Sequence, residues 1–244
     1  MSSRLSPEYA ALPAGPDLDA AARLLRRGGV LAFPTETLYG LGCLALDAAA
    51  VAQVYQLKRR PVHKPLPLLA ADAAQADAVA DLAAMPQDLR AFWPGPLTVL
   101  LPGRAVLPPA LKDSRGLAAV RVTSHPLAAA LALRAGGALT ASSANRSGLP
   151  AARRPEELDR ELLAALAAVN AALENSPAPR AVPCVLPLPT GAPLPAGGLP
   201  STIVEPLPGG RRLHMLREGA VSAAALAAAG FVIVQQPPGG APRA

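Results

Sequence analysis

The stretch from Gly28 to Pro65, GGVLAFPTETLYGLGCLALDAAAVAQVYQLKRRPVHKP, constrains the fold more than any other part of the chain. Val30–Phe33 is a short apolar run that reads as a buried strand, and it runs straight into the hydroxyl-rich turn Pro34-Thr35-Glu36-Thr37. A glycine-punctuated loop, Tyr39–Gly42, follows. Asp47 then stands as an N-cap before a helix in which Val51, Val54, Tyr55 and Lys58 recur at helical spacing. That helix ends in Lys58-Arg59-Arg60. Strand, polar turn and cationic helix exit form one α/β unit with a phosphate clamp at its mouth. Only three lysines stand against twenty arginines in the chain, and Lys58 and Lys64 both fall here. A lysine in so arginine-rich a chain marks a place for a compact point charge rather than a planar fork. The alternative for the same residues is a helix C-terminus whose cations complement its dipole.

The remaining chain alternates apolar strands with helices. Asp17 begins a helix through Leu18, Ala21, Ala22 and Leu25, stopped at Gly28-Gly29. Strands are expected at Leu66–Ala70, Leu97–Leu101, Leu117–Val122, Ala138–Ala141, Ser201–Val204, Arg212–Arg217 and Phe231–Val234. Pro67 argues for an edge or bulge position in the first of these. Helices are expected over Asp72–Ala84, Pro86–Phe92, Ser124–Arg134, Pro155–Leu173 and Ser222–Ala229. Several links are too short for a parallel crossover. The fold class is therefore α/β on a twisted mixed parallel and antiparallel sheet with flanking helices, not a doubly wound parallel fold. Residues 1–15 read as a flexible arm, 16–234 as one domain and 235–244 as a disordered tail, with Ser176–Pro200 a proline-rich irregular segment.

Charge and composition narrow the function. A formal charge of +6 and a pI near 10.0 favour anionic partners such as nucleotides, nucleic acid or phosphorylated metabolites. Aromatic residues make up only 3%, too few for a platform that stacks single-stranded RNA. Cys43 and Cys184 form no paired motif; they read as reduced thiols of a cytoplasmic protein or as one disulfide. His63, His125 and His214 are isolated, so no metal-ligand spacing exists and no protein-held metal is expected. Neither a signal peptide nor a membrane span is expected.

The chain has no GxxxxGK[ST], and Gly40-Leu41-Gly42 lacks the third glycine of a dinucleotide fingerprint. Ser142 and Ser143 lack a nucleophile elbow, which argues against covalent catalysis. What remains are short polar clusters, each at or just beyond an apolar strand. Thr35 and Thr37 follow the first strand, Arg121 interrupts Leu117–Val122, Ser143 and Asn145 follow Ala138–Ala141, Ser201 precedes Ile203, and Arg217 ends Arg212–Arg217. Open α/β sheets gather ligand contacts at strand ends, so these clusters predict one shared cavity. Taken singly, each is ordinary turn chemistry. Arg121 requires more: a cation in an apolar run needs a solvent-facing exit or an anion.

Six ordered blocks carry a family resemblance: Pro34–Gly42 with Lys58-Arg59-Arg60-Pro61 and Lys64-Pro65-Leu66; Trp93–Thr98; Val120-Arg121-Val122; Ser143–Gly148; Pro200–Val204; and Leu216–Gly219. Together they resemble the YrdC/TsaC family of threonylcarbamoyl-AMP synthases. The resemblance implies a single YrdC-like domain around a concave basic cleft. It implies ATP, L-threonine and bicarbonate as substrates, with Mg2+ accompanying ATP. L-threonylcarbamoyl-adenylate and pyrophosphate are the implied products, and tRNA and the tRNA threonylcarbamoyl-transfer proteins the downstream partners. Its site residues map as follows. Lys58 and Arg60 would be catalytic, and Arg60, Lys64, Ser143, Asn145 and Arg217 would bind ATP. Thr37, Tyr39, Arg121, Ala141 and Ser201 would bind threonine, with Arg121 on its carboxylate and Tyr39 closing over it.

Departures from the family pattern are Arg59 at a position usually small, Leu44, Leu69, Ala151 and the long proline-rich segment before Ser201. No extra C-terminal domain is expected. Two other readings compete. One is a double-stranded RNA or tRNA-binding module without synthase activity, in keeping with the basic pI. The other is a carbamoyl-transfer domain like that of HypF, whose zinc-finger cysteine pairs have no counterpart in two lone cysteines.

Overall fold

The computed structural model describes residues 16–173, 184–186 and 198–235. The expected arm (1–15), most of the proline-rich segment and the tail from 236 onward lie outside the described residues. Two sheets organise the rest. The smaller is antiparallel, in the order β1 (Leu31–Pro34), β2 (Tyr39–Gly42), β7 (Ser142–Ser143). The larger has seven strands. It runs β10 (Val232–Gln235), β9 (Arg212–Arg217), β8 (Thr202–Pro206), β4 (Leu97–Pro102), β5 (Leu117–Val122), β3 (Leu68–Ala70), β6 (Leu139–Thr140). Its pairings alternate parallel and antiparallel throughout, so the sheet is mixed as expected.

Six α-helices accompany the strands among the described residues: α1 (Pro16–Arg26), α2 (Ala48–Lys58), α3 (Ala73–Val79), α4 (Pro126–Ala135), α5 (Arg160–Leu173) and α6 (Ala223–Ala228). Asp47, Asp72 and Ser222 each accept a backbone N–H and start α2, α3 and α6, as short polar side chains at helix entries do. Gln87–Phe92 and Leu82–Ala84 wind as 3₁₀ turns where longer helices were expected; prolines 86 and 94 leave no room for an α-helical stretch between them.

Alternation along the strands sorts side chains into two cores. From β1, Val30 and Ala32 enter the large core while Leu31 and Phe33 enter the second, against α1 and α4. In β3, Leu68 and Ala70 take the first and Leu69 the second. The alanines of α4 allow close approach of α1, whose Leu18, Ala21, Ala22 and Leu25 fill the same cluster.

Tyr39–Gly42 is a strand, not the loop expected from its glycines. Tyr39 and Leu41 point into the core, and the glycines occupy the opposite face, where at Gly42 nothing larger fits. A Cβ on Gly42 would lie 1.6 Å from the carbonyl oxygen of Thr140. Pro67 sits just before β3, which is flanked on both sides by β5 and β6, so the expected edge position is not observed. Pro67 still contributes its carbonyl, which accepts from Ala141 N–H at 2.8 Å.

Both backbone groups of Val30 are satisfied by one side chain. Asn170 of α5, 5% exposed, accepts from Val30 N–H at 3.0 Å and donates to Val30 C=O at 2.8 Å. Replacing it strands two buried backbone groups, each costing roughly 1–3 kcal/mol. Asn170→Leu is therefore expected to lower unfolding free energy by about 2–4 kcal/mol, read as a shift in urea midpoint at constant slope. A shift below about 0.5 kcal/mol would show that Val30 finds other partners.

Candidate active site

Between Thr140 and Ser142 the chain passes from the large sheet to the small one, with Ala141 at the seam. A cleft of about 450 Å3 opens along this seam. Its walls come from the turn before β2, the exit of α2, the cleft-facing residues of β5, the 141–143 crossing and the start of β8 with the end of β9. Of the residues singled out from sequence, Thr37, Tyr39, Arg60, Arg121, Ala141, Ser143, Ser201 and Arg217 line this one cleft. Lys58, Lys64 and Asn145 do not.

Each arginine arrives by a different local device. Arg121 follows from strand alternation: Ala118, Val120 and Val122 face the core, so Ala119 and Arg121 face the cleft. Arg217 depends on a bulge. Val204 pairs with Met215, both in the core, and the register then slips so that Ile203 pairs with Arg217, leaving Leu216 as the extra residue. Paired residues share a face, so the slip turns Arg217 to the cleft beside Ile203. Arg60 depends on how α2 stops. Arg59 takes a left-handed conformation at φ 49, with its N–H donating to Gln56 C=O and that of Arg60 to Tyr55 C=O. This reversal, normally made by glycine, explains why a small residue suits position 59.

The cations are held by backbone oxygens. Arg60 donates through Nε to Lys64 C=O at 2.7 Å and through Nη2 to Pro65 C=O at 3.1 Å. Arg217 donates through Nε and Nη2 to Ser201 C=O at 3.1 and 2.8 Å, and through Nη2 to Ser201 Oγ at 3.2 Å. Ser201 Oγ in turn accepts from Thr98 Oγ1 at 2.9 Å. Burial lowers the pKa of Arg217, and the charges of Arg121 and Arg60 lower it further. Burial likewise lowers Arg60. Guanidinium groups crowded in this way are relieved by a bound anion.

Lys58 lies behind the wall rather than on it. Only 2% exposed, it donates from Nζ to Ser143 C=O and Asn145 C=O, each at 2.5 Å, and its own C=O accepts from Ser147 N–H. Burial and the nearby Arg60 push its pKa down to about 8. Its evident work is to clamp the 143–147 loop. That loop is also tied by Ser143 Oγ donating to Asn145 Oδ1 and by Asn145 Nδ2 donating to Leu149 C=O. Lys64 is exposed and contributes its carbonyl to Arg60. Tyr39 is fully buried and its hydroxyl donates to Leu186 C=O at 3.2 Å, so it forms part of the wall and does not close over the cavity.

Sequence reasoning passed over Arg153 and Ala119 as lining residues, and it placed Thr35 in a cluster without a role. Arg153 follows the Ser143–Gly148 block closely enough that its charge was the available signal. Among the described residues four arginines and no carboxylate line the cleft, so it suits an anion of nucleotide size. A thiol nucleophile is excluded at Cys43, which burial pushes up to about 12. Among the described residues no cluster of His, Cys, Asp or Glu could hold a metal, and no helix is long and apolar enough to cross a membrane.

Known proteins resemble this chain in sequence and fold. A family model for Sua5/YciO/YrdC, described as telomere recombination, matches residues 23–183. A threonylcarbamoyl-AMP synthase of Methylococcus capsulatus is 46% identical over 146 residues, covering 59% of this chain and 78% of that protein. One from Stenotrophomonas maltophilia is 45% identical over 150 residues, covering 60% and 81%. Among solved structures, P. abyssi Sua5 complexed with L-threonine superposes with a TM-score of 0.69 at 28% identity, over 89% of this chain and 58% of that one. E. coli YciO, at 22% identity and TM-score 0.61 over 83% and 89%, shares the fold. The chain belongs to the Sua5/YciO/YrdC family.

Proposed function

We propose that this protein makes L-threonylcarbamoyl-AMP from L-threonine, bicarbonate and ATP, with release of pyrophosphate, for modification of adenosine 37 in tRNA. The observation that carries the reading is the convergence of Arg60, Arg121 and Arg217, from three separate elements, on one cleft with no lining carboxylate among the described residues. The relatives' shared name and the threonine-bound Sua5 support the same substrates. Arg121 takes the amino-acid carboxylate, with Thr37, Ser201 and the small Ala141 around the side chain. Arg60 and Arg217 flank the phosphates, and Ser143 borders the nucleotide. Lys58 and Asn145 act through the loop they hold, and Lys64 lies at the cleft mouth.

Little covalent work is asked of the protein. Bicarbonate takes up a proton and loses water to give CO2; the amine of threonine adds to the CO2 carbon and loses a proton, giving a carbamate. A carbamate oxygen then bonds to the α-phosphorus as the bond to the bridging oxygen breaks, and pyrophosphate leaves. Holding two anionic reactants in line and neutralising the charge that gathers on the phosphates accounts for the rate. ATP enters as its Mg2+ complex. The cleft offers hydroxyls and guanidinium groups but no carboxylate, so the donor set does not fit a resident metal, and no step is assigned to one. The adenylate then passes to the tRNA threonylcarbamoyl-transfer proteins in the cytoplasm. A module that only bound duplex RNA would need an open basic face rather than arginines gathered in a cavity.

Pyrophosphate release is expected only when threonine, bicarbonate and ATP are all present. Arg121→Ala should raise the threonine KM by about tenfold or more, and Arg217→Ala should weaken ATP by a similar factor. Pyrophosphate release that ignores threonine would sink the reading.

The pH dependence follows from Lys58. Its charge is lost as pH rises through about 8, which removes one positive charge from behind the phosphate wall. ATP affinity should fall between pH 7 and 9 in the parent protein and be flatter in Lys58→Met. Unfolding does not mimic this effect. The folded-state value lies below the ordinary 10.5, so between the two the unfolded chain binds more protons, and this group makes the fold more stable as pH rises. A Tm at pH 9 no lower than at pH 7, together with weaker ATP binding, is the expected pair of results. Parallel pH profiles for the two proteins would contradict the role given to Lys58.

A further inference from the structure

Glu36, in the turn between β1 and β2, meets Arg121 of β5 across the two sheets, with Oε1 3.0 Å from Nε. The side chains are 9% and 6% exposed, and among the described residues no other ion pair has both partners below a tenth. Thr35 and Thr37 line the cleft, while Glu36 between them does not. Its second oxygen, Oε2, accepts from Thr123 Oγ1 at 2.5 Å, and Thr123 Oγ1 also accepts from His125 N–H.

The contact with Arg121 is one of charge: neither Glu36 Oε1 nor Arg121 Nε makes an aligned hydrogen bond. Among the described residues no hydrogen bond occupies the Nη groups of Arg121, whereas Arg60 and Arg217 each spend Nη2 on a carbonyl. The carboxylate therefore sits at the Nε edge and leaves the fork to the cleft.

We infer that Glu36, oriented by Thr123, is a positioning residue that holds Arg121 in place to receive a carboxylate. This rests on the reading above that the cleft binds an amino acid. Two forces act on Arg121. Arg217 repels it, since after burial the charge of Arg121 is what most lowers the pKa of Arg217, and a buried guanidinium without a counter-charge moves toward water. Glu36 opposes both. Removing its charge would strengthen the long-range attraction for an anion, but it would release the arginine from the position in which a bidentate contact forms. The aligned charge-assisted pair is the larger effect at contact distance.

The experiment measures L-threonine and ATP binding separately by titration calorimetry, with Tm recorded for each variant. Glu36→Gln should weaken threonine by about tenfold while leaving ATP within about twofold, and should raise the threonine KM more than it lowers kcat. Thr123→Val, which keeps the carboxylate but frees it, should move threonine in the same direction by less. In an Arg121→Ala background Glu36→Gln should add nothing further, because it acts only through Arg121. Unchanged or tighter threonine binding in Glu36→Gln overturns the inference. So does an equal loss of both ligands with a fallen Tm, which would mark Glu36 as structural only. If the parent protein binds ATP but no threonine, the functional reading fails first and the inference with it.

Discussion

The step of the chain from Thr140 to Ser142 creates the site. Two residues pair in the large sheet, one crosses, and two pair in the small sheet, so the sheets cannot separate at this point and cannot close over each other. The crossing is fixed from several directions. Thr140 N–H donates to Cys43 C=O and its Oγ1 accepts from Cys43 N–H, while Ala144 N–H donates to Tyr39 C=O. Gly42 lets the strands meet there because no side chain intervenes. The cleft is thus the gap left by two sheets pinned along one line, and any residue facing that gap becomes a wall.

Placing several guanidinium groups in such a gap is unfavourable without a ligand, and the structure shows how the cost is spread. Arg60 rests on two carbonyls of the 61–65 loop, Arg217 rests on Ser201, and Arg121 rests against Glu36. Backbone oxygens hold a cation in position without cancelling its charge. Arg121 has a full counter-ion, and it is also the arginine set in an apolar strand, where an uncompensated charge would cost several kcal/mol. The cleft therefore keeps a positive potential and a defined geometry together, the combination that phosphate and carboxylate recognition requires.

How much of this was legible beforehand depended on distance along the chain. Apolar runs marked most of the strands that fill both cores, and the charge of Arg121 inside Leu117–Val122 showed that it needed an exit or an anion, because neither sign requires knowledge of partners. The bulge at Leu216 was not legible, since it exists only in the register between β8 and β9. The anion that Arg121 required was in plain view as Glu36, but nothing local says that a turn residue will reach a strand so far along the chain. Lys58 showed its charge in sequence and not its burial, so it read as a phosphate ligand when its ammonium is spent on two carbonyls. Glycines 40 and 42 read as a loop because their usual meaning is a turn; here both lie in a strand, and Gly42 marks a close approach to Thr140.

The proposed function requires cations from three separate elements, Arg60 after α2, Arg121 in β5 and Arg217 in β9, to act on one pair of reactants. A crystal structure with L-threonine and an ATP analogue whose α–β bridge resists cleavage tests it most directly. The expected result is the threonine carboxylate on the Arg121 fork, the triphosphate between Arg60 and Arg217, and the amine beside the α-phosphate with room for a carboxyl group between nitrogen and phosphorus. Threonine and nucleotide bound in separate hollows, or a carboxylate that leaves Arg121 untouched, would contradict it.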